Sequence, residues 1–370
     1  CSFKILKGDK FDMSLTKQKK GNFFNSLQVF RGLAALMVVY HHQWISFSYF
    51  FDVQDTILLF IATLGKHGVD FFFVLSGFII TYSCYNKKAG KLTIKSYLIN
   101  RVFRIYIPYL PISICMLLLY HLFPNISGSS RSISLITSLT LFPDGLPALS
   151  VAWTLIHEMM FYLLFIIWFF SRKGWFIFTL VWTMVIVYLN WINPLSFLNS
   201  IPILKYLISS YNLEFIIGFY SAVFIKKHAI LANKNIFLLI SFILFGIGLV
   251  LKWYGWNFTF LIFAFGFALL ILGSLGSRLD KVNASSLLML IGNASYSIYL
   301  IHNPEISILI RLFTSYLTFM SEGMIFIAIF ISCCVTGILY SKVFEVFLLG
   351  KAKSKFLPIP PMKHSFTIAK

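Results

Sequence analysis

Charge is what this sequence has least of. Asp and Glu number 12 in 370 residues, and all charged residues together make 12% of the chain, about half of the roughly 25% found in soluble domains. A water-soluble surface cannot be built from that supply. The five cysteines, Cys1, Cys84, Cys115, Cys333 and Cys334, show no paired spacing. This excludes a disulfide framework and a cysteine-based metal motif. There is no internal repeat, low-complexity linker or separate soluble domain. A G-x-S-x-G nucleophile elbow, a P-loop and a dinucleotide fingerprint are also missing.

What fills the chain is apolar: 59% of residues are hydrophobic, in long runs from Val29 to Leu349. Several runs reach the roughly 20 residues that cross a bilayer. In lipid the backbone must satisfy its own polar groups, which selects helices, and the continuous runs lack the alternation of a β-barrel. The fold class read from this is all-α, a polytopic integral membrane helical bundle of about ten transmembrane helices. The expected spans are roughly 28–48, 66–85, 102–123, 151–171, 174–192, 211–225, 236–252, 257–274, 287–310 and 322–349. The brief apolar stretch from Ser132 to Phe142 reads as a re-entrant or interfacial segment.

The formal net charge is +19. In a soluble protein that would point to nucleic acid. Here the basic residues cluster in short segments between apolar runs, which is a topology signal, and no nucleic-acid partner is expected. With both ends in the cytoplasm, only Lys66, Arg131, Lys205, Lys252 and Arg311 fall outside, as the positive-inside rule requires. The expected organisation is a basic cytoplasmic segment over 1–27, a membrane domain over 28–349 and a basic cytoplasmic tail over 350–370, in the inner (cytoplasmic) cell membrane with lipid as an obligate partner. Met13 opens a run, MSLTKQKK, that would serve as a start, with residues 1–12 as an upstream extension. The first span is long and expected to be retained rather than cleaved.

Ionisable groups inside spans are costly and mark function. In FRGLAALMVVYHHQW, Arg31 and His42 lie eleven residues apart, on one helical face and roughly 16 Å apart along the axis. His41 points about 80° away from Arg31, so His42 is the better partner. The second span opens HGVDFFFVLSGF, with Asp70 and Gly77 on one face; Ser76 and Gly77 read as helix-packing residues. Arg101 and Arg104, at i and i+3 where the third span begins, suit either a phosphate or a lipid-headgroup anchor. In AWTLIHEMMFY, Glu158 and Tyr162 are one turn apart, with Trp153 at the interface. Glu214 opens the sixth span, at or near the interface, with Gly218 and Ala222 as a packing pair. In the ninth span Ser295, Tyr299 and His302 make one stripe.

Taken in order, Arg31 with His42, GVDFFFVLSGF, Arg101-x-x-Arg104, WTLIHEMMFY, EFIIG and SYSIYLIHNP resemble the membrane acyltransferase family 3, from about residue 25 to about 345. The style of WTLIHEMMFYLLF is most similar to the branch that modifies exopolysaccharides. Many relatives carry a fused esterase-like domain after the membrane part, where residues 350–370 here read as a basic tail. His157 replaces another residue type before the motif Glu. No histidine opens the H-x-x-x-x-D pattern of glycerolipid acyltransferases.

The resemblance implies an O-acyltransferase that moves an acyl group, typically acetyl, from acyl-coenzyme A to a hydroxyl of a surface polysaccharide or lipid-linked glycan. Acyl transfer needs a group that deprotonates the hydroxyl or carries the acyl group; His42 is the candidate for either role. Glu158, Asp70 or His302 would orient it or bind the acceptor. Arg31, Arg101 and Arg104 are candidates for the coenzyme's phosphates, and no metal is implied. The alternative is a glycan transporter or flippase, which also holds charges at mid-membrane but should show repeat symmetry or paired broken helices. Span direction puts His42, Asp70, Glu158, Glu214 and His302 towards the outer side and the arginines towards the inner. Glu158 is therefore expected to lie near His42.

Overall fold

The computed structural model describes residues 24–87, 90–123, 132–228, 234–277, 281–283, 286–316 and 319–356. The basic segments 1–23 and 357–370, with Lys88, Arg131 and Arg278 of the expected topology, lie outside the described residues. Among the described residues there is no strand, only an isolated bridge between Ile133 and Leu146. The described apolar segments are helical, as segments that must pair their own backbone require.

In chain order the helices are α1 (Asn25–Phe51), α2 (Thr56–Gly65), α3 (His67–Cys84), α4 (Lys91–Leu122), α5 (Leu135–Thr140), α6 (Ala152–Leu164), α7 (Ile167–Phe170), α8 (Arg172–Val187), α9 (Pro202–Leu207), α10 (Tyr211–Lys227), α11 (Lys234–Trp253), α12 (Thr259–Ser274), α13 (Leu287–Tyr316), α14 (Glu322–Ser341) and α15 (Leu349–Phe356). Every stretch expected to span is helical. Among the described residues, six helical segments are long and apolar enough to cross a membrane: Thr56–Cys84, Leu92–Leu122, Ala152–Phe170, Arg172–Ile192, Lys234–Trp253 and Glu322–Phe356. The expectation of about ten crossings thus stands at six by this measure. α1 and α13 have the length, at 27 and 30 residues, but carry polar side chains along faces that turn inward. α12 is apolar and short.

Two boundaries differ from expectation. α2 lies between the first two expected spans; the Asp55 side chain accepts from the Leu58 amide and caps its start, as N-cap aspartates do. α4 begins at Lys91 rather than near 102, so Arg101 and Arg104 sit well inside a helix, about 15–20 Å from its first residue. The 132–142 stretch contains α5, six residues long and too short to cross.

The bundle packs α3 on α10, α1 on α13 and α11 on α12. Exposed apolar side chains such as Phe242, Leu239 and Ile177 cover the outside, as a lipid-facing surface requires. The α3–α10 crossing is closed by glycine on both sides. A methyl group at Gly77 would run into the Phe215 carbonyl, and one at Gly218 into the Val74 carbonyl. Small residues let helix backbones approach this closely. Gly218→Val is therefore expected to cost about 1–3 kcal/mol, read as a lower thermal midpoint in detergent. An unchanged midpoint would mean that the crossing is not tight.

Candidate active site

Two chambers meet inside the bundle. The first is lined by Arg31 of α1, Arg101 and Arg104 of α4, Ser76 of α3, and Glu158 and Tyr162 of α6. The second is lined by His41 and His42 of α1, Lys66 between α2 and α3, His67 and Asp70 at the start of α3, Trp153, Tyr211 and Asn257. Val69 and Tyr299 belong to both walls. The three sequence-predicted arginines are brought together in one chamber, and His42 and Asp70 line the other.

The arginines are poorly satisfied by the protein itself. Arg31 donates to Gln28 Oε1 at 3.1 Å. Arg101 donates a long bond of 3.4 Å to Ser83 Oγ and lies over the Tyr97 and Tyr162 rings. Among the described residues the one ion pair is His67–Asp70, so no guanidinium is neutralised by contact with a carboxylate. Like charges around a cavity repel unless an anion joins them. Planar guanidiniums fit phosphate oxygens through paired hydrogen bonds.

Glu158 differs from expectation. Its carboxylate accepts from Ser76 Oγ at 2.9 Å and from the Tyr162 hydroxyl, and it faces the arginine chamber rather than His42. The direct pairing with His42 is not formed: the inward turn of α6 that aims Glu158 at α3 and α4 points it into the other cavity. Ser76, read as a packing residue, is instead a hydrogen-bond donor to this carboxylate. Glu158 is the one carboxylate among the described residues lining this chamber. If the arginines hold a coenzyme's phosphates, Glu158→Gln is expected to leave the fold intact and to tighten coenzyme A binding a few-fold, about 1 kcal/mol or less, by removing a nearby negative charge. Titration calorimetry checks this; weaker binding would show that the carboxylate is needed to orient the arginines.

In the second chamber His42 packs against His302, with ring centroids 5.2 Å apart. His302 is fully buried. Its Nδ1 lies 3.3 Å from the Ile298 carbonyl, while its Nε2 has no hydrogen-bond partner among the described residues. The stripe on α13 faces inward as its spacing predicts: Tyr299 joins Thr154 Oγ1 at 2.9 Å, and Ser295 is buried. Asp70 pairs with His67, Nδ1 to Oδ2 at 2.5 Å. His67 went unremarked in the sequence, although the i, i+3 spacing to Asp70 was there to be read. Its other neighbour, Lys252, is 185 residues away, and nothing local announces that contact. Glu214, expected at or near the interface, is 0% exposed within the bundle, and among the described residues neither of its carboxylate oxygens has a hydrogen-bond partner.

Residues 24–341 match a family model described as an acyltransferase domain. No curated protein and no solved structure matches the chain.

Proposed function

The chain belongs to the membrane acyltransferase family 3, and on that premise we propose that it transfers an acetyl group from acetyl-coenzyme A to a hydroxyl of a cell-surface or lipid-linked glycan. The observation that carries this reading is the division of charge between adjoining chambers. Three guanidiniums line one, and His41, His42 and His67 line the other, with Val69 and Tyr299 in both walls. A coenzyme thioester has the matching division, with phosphates at one end and the reacting carbonyl at the other.

In this account Arg31, Arg101 and Arg104 hold the phosphates. His42 takes the proton of the acceptor hydroxyl as its oxygen attacks the thioester carbonyl. The carbon–oxygen bond forms, the carbon–sulfur bond breaks, and the proton on His42 passes to the departing thiolate. His302 packs against His42 and limits its ring orientation. The aromatic side chains Trp153 and Tyr211, interleaved with Asp70, Ser210 and Asn257, offer the mixed apolar and polar lining that suits a sugar. The basic segments are assigned to the cytoplasm, with both termini there, in the inner cell membrane.

The test is transfer itself. Purified protein in lipid nanodiscs, given acetyl-labelled acetyl-coenzyme A and the cell's own polysaccharide or its lipid-linked precursor, is expected to yield base-labile label on the glycan and free coenzyme A. Cells lacking the gene should lose ester-linked acetyl groups from that polysaccharide. A polysaccharide with unchanged acetylation and altered surface display would favour glycan export instead.

A further inference from the structure

Asp70 does not stand alone in the second chamber. His67 Nδ1 is 2.5 Å from Asp70 Oδ2, and His67 Nε2 is 3.0 Å from Lys252 Nζ. Lys252 comes from the end of α11, and its ammonium also donates to the Thr63 carbonyl at 2.9 Å. Both His67 and Asp70 are buried, and the His67 ring is held at 4.3 Å, centroid to centroid, against Phe263 of α12.

With Lys252 as an ammonium, this chain of contacts has one consistent proton arrangement. An ammonium has only donors, so it can approach a ring nitrogen at hydrogen-bond distance only where that nitrogen is an acceptor. Nε2 therefore carries a lone pair and Nδ1 carries the hydrogen, which is donated to Asp70. The ordering is the one by which an outer partner fixes the tautomer and aim of an imidazole that serves another group.

We infer that Lys252 is a positioning residue which, through His67, holds the Asp70 carboxylate aimed into the outer chamber as the group that accepts hydrogen bonds from hydroxyls of the acceptor sugar. This rests on the glycan-acceptor reading for its purpose, though not for its geometry. Asp70 lines the chamber beside His42 and Trp153, so a hydroxyl bonded to it lies on the same side as the candidate base. Other charged or titratable groups face the relay. His41 and His42 come from α1 and Lys66 from the α2–α3 junction. Tyr211 and Glu214 come from α10 and act on Asp70 electrostatically. None of these is placed to give Nε2 of His67 a hydrogen, because Lys252 occupies that position.

The test combines a spectroscopic and a kinetic readout. In ¹⁵N-histidine-labelled protein in nanodiscs, with the His67 signal identified by its loss in His67→Gln, the ring is expected to carry its hydrogen on Nδ1. Asp70 keeps the hydrogen on Nδ1 in either case, so Lys252→Met should move the Nε2 resonance to that of a lone pair with no donor, and Lys252→Arg should return it to the wild-type position. The same Lys252→Met protein should show an acceptor KM raised about tenfold, the worth of one hydrogen bond to a charged group, with the KM for acetyl-coenzyme A changed by less than about twofold. If Lys252→Met does not fold, Lys252→Leu carries both measurements. An unmoved Nε2 resonance in the variant would overturn the inference, as would equal changes in both KM values. Should wild-type protein form no ester, the transfer reading fails, and the Nε2 resonance still decides whether Lys252 bonds and orders His67.

Discussion

His42→Ala is expected to abolish acyl transfer, lowering turnover by about a thousandfold or more, while acetyl-coenzyme A still binds. A general base contributes about 10²–10⁴ in rate, and no second group stands in the same place. His302 packs at 5.2 Å, but it is fully buried behind His42 and cannot reach an incoming hydroxyl without repacking α13. His41 is 5.0 Å from His42, centroid to centroid, and lines the same chamber, but its Nδ1 is engaged at 2.7 Å with the Ala62 carbonyl. Donor binding should survive because the arginines line the other chamber. The measurement is single-turnover transfer from labelled acetyl-coenzyme A beside equilibrium binding of the same donor. A variant that keeps a tenth of wild-type turnover would remove His42 from the chemistry. A variant that loses both turnover and donor binding would mean that the chambers are not separate in function.

The converse result is expected at the other chamber. Replacing Arg101 and Arg104 together with glutamine should raise the donor KM about a hundredfold. Each charge-assisted hydrogen bond contributes about 1.5–3 kcal/mol, and part of that is lost to water where the chamber is open. Arg104 is the more informative of the two. Arg101 rests on the Tyr97 and Tyr162 rings and on Ser83, whereas Arg104 makes no ion pair among the described residues and lines the chamber wall. If the pair served as a lipid-headgroup anchor, the double variant would bind the donor as tightly as wild type and would lose insertion or stability instead.

The sequence made the helices and the inward stripes legible because both follow from spacing along one chain. Arg31 and His42 share a face of α1, Asp70 and Gly77 share a face of α3, and Tyr299 and His302 share a face of α13; each pattern needs only the pitch of a helix. What could not be read was which helix each face meets. Glu158 was expected beside His42 from its depth alone, and depth does not say which way α6 is turned; its partners are Ser76 and Tyr162. The Lys252–His67 contact joins α11 to α3, helices with no sequence relation to one another. Lys252 counted only as one of the few basic residues outside, a topology role that hid its contact. Glu214 was placed near the interface because it opens a span. Burial in α10 is set by the close α3–α10 crossing at Gly77 and Gly218, a tertiary fact.

The division into a phosphate chamber and a chemical chamber is tested most directly by sidedness. Protein is reconstituted into vesicles in one known orientation, with labelled acetyl-coenzyme A supplied on the face carrying Lys226, Lys227 and Lys353 and the acceptor glycan on the opposite face. The account predicts labelled ester on the glycan in this arrangement, and none when the donor is moved to the other face. Product formed only when donor and acceptor share the basic face would contradict it.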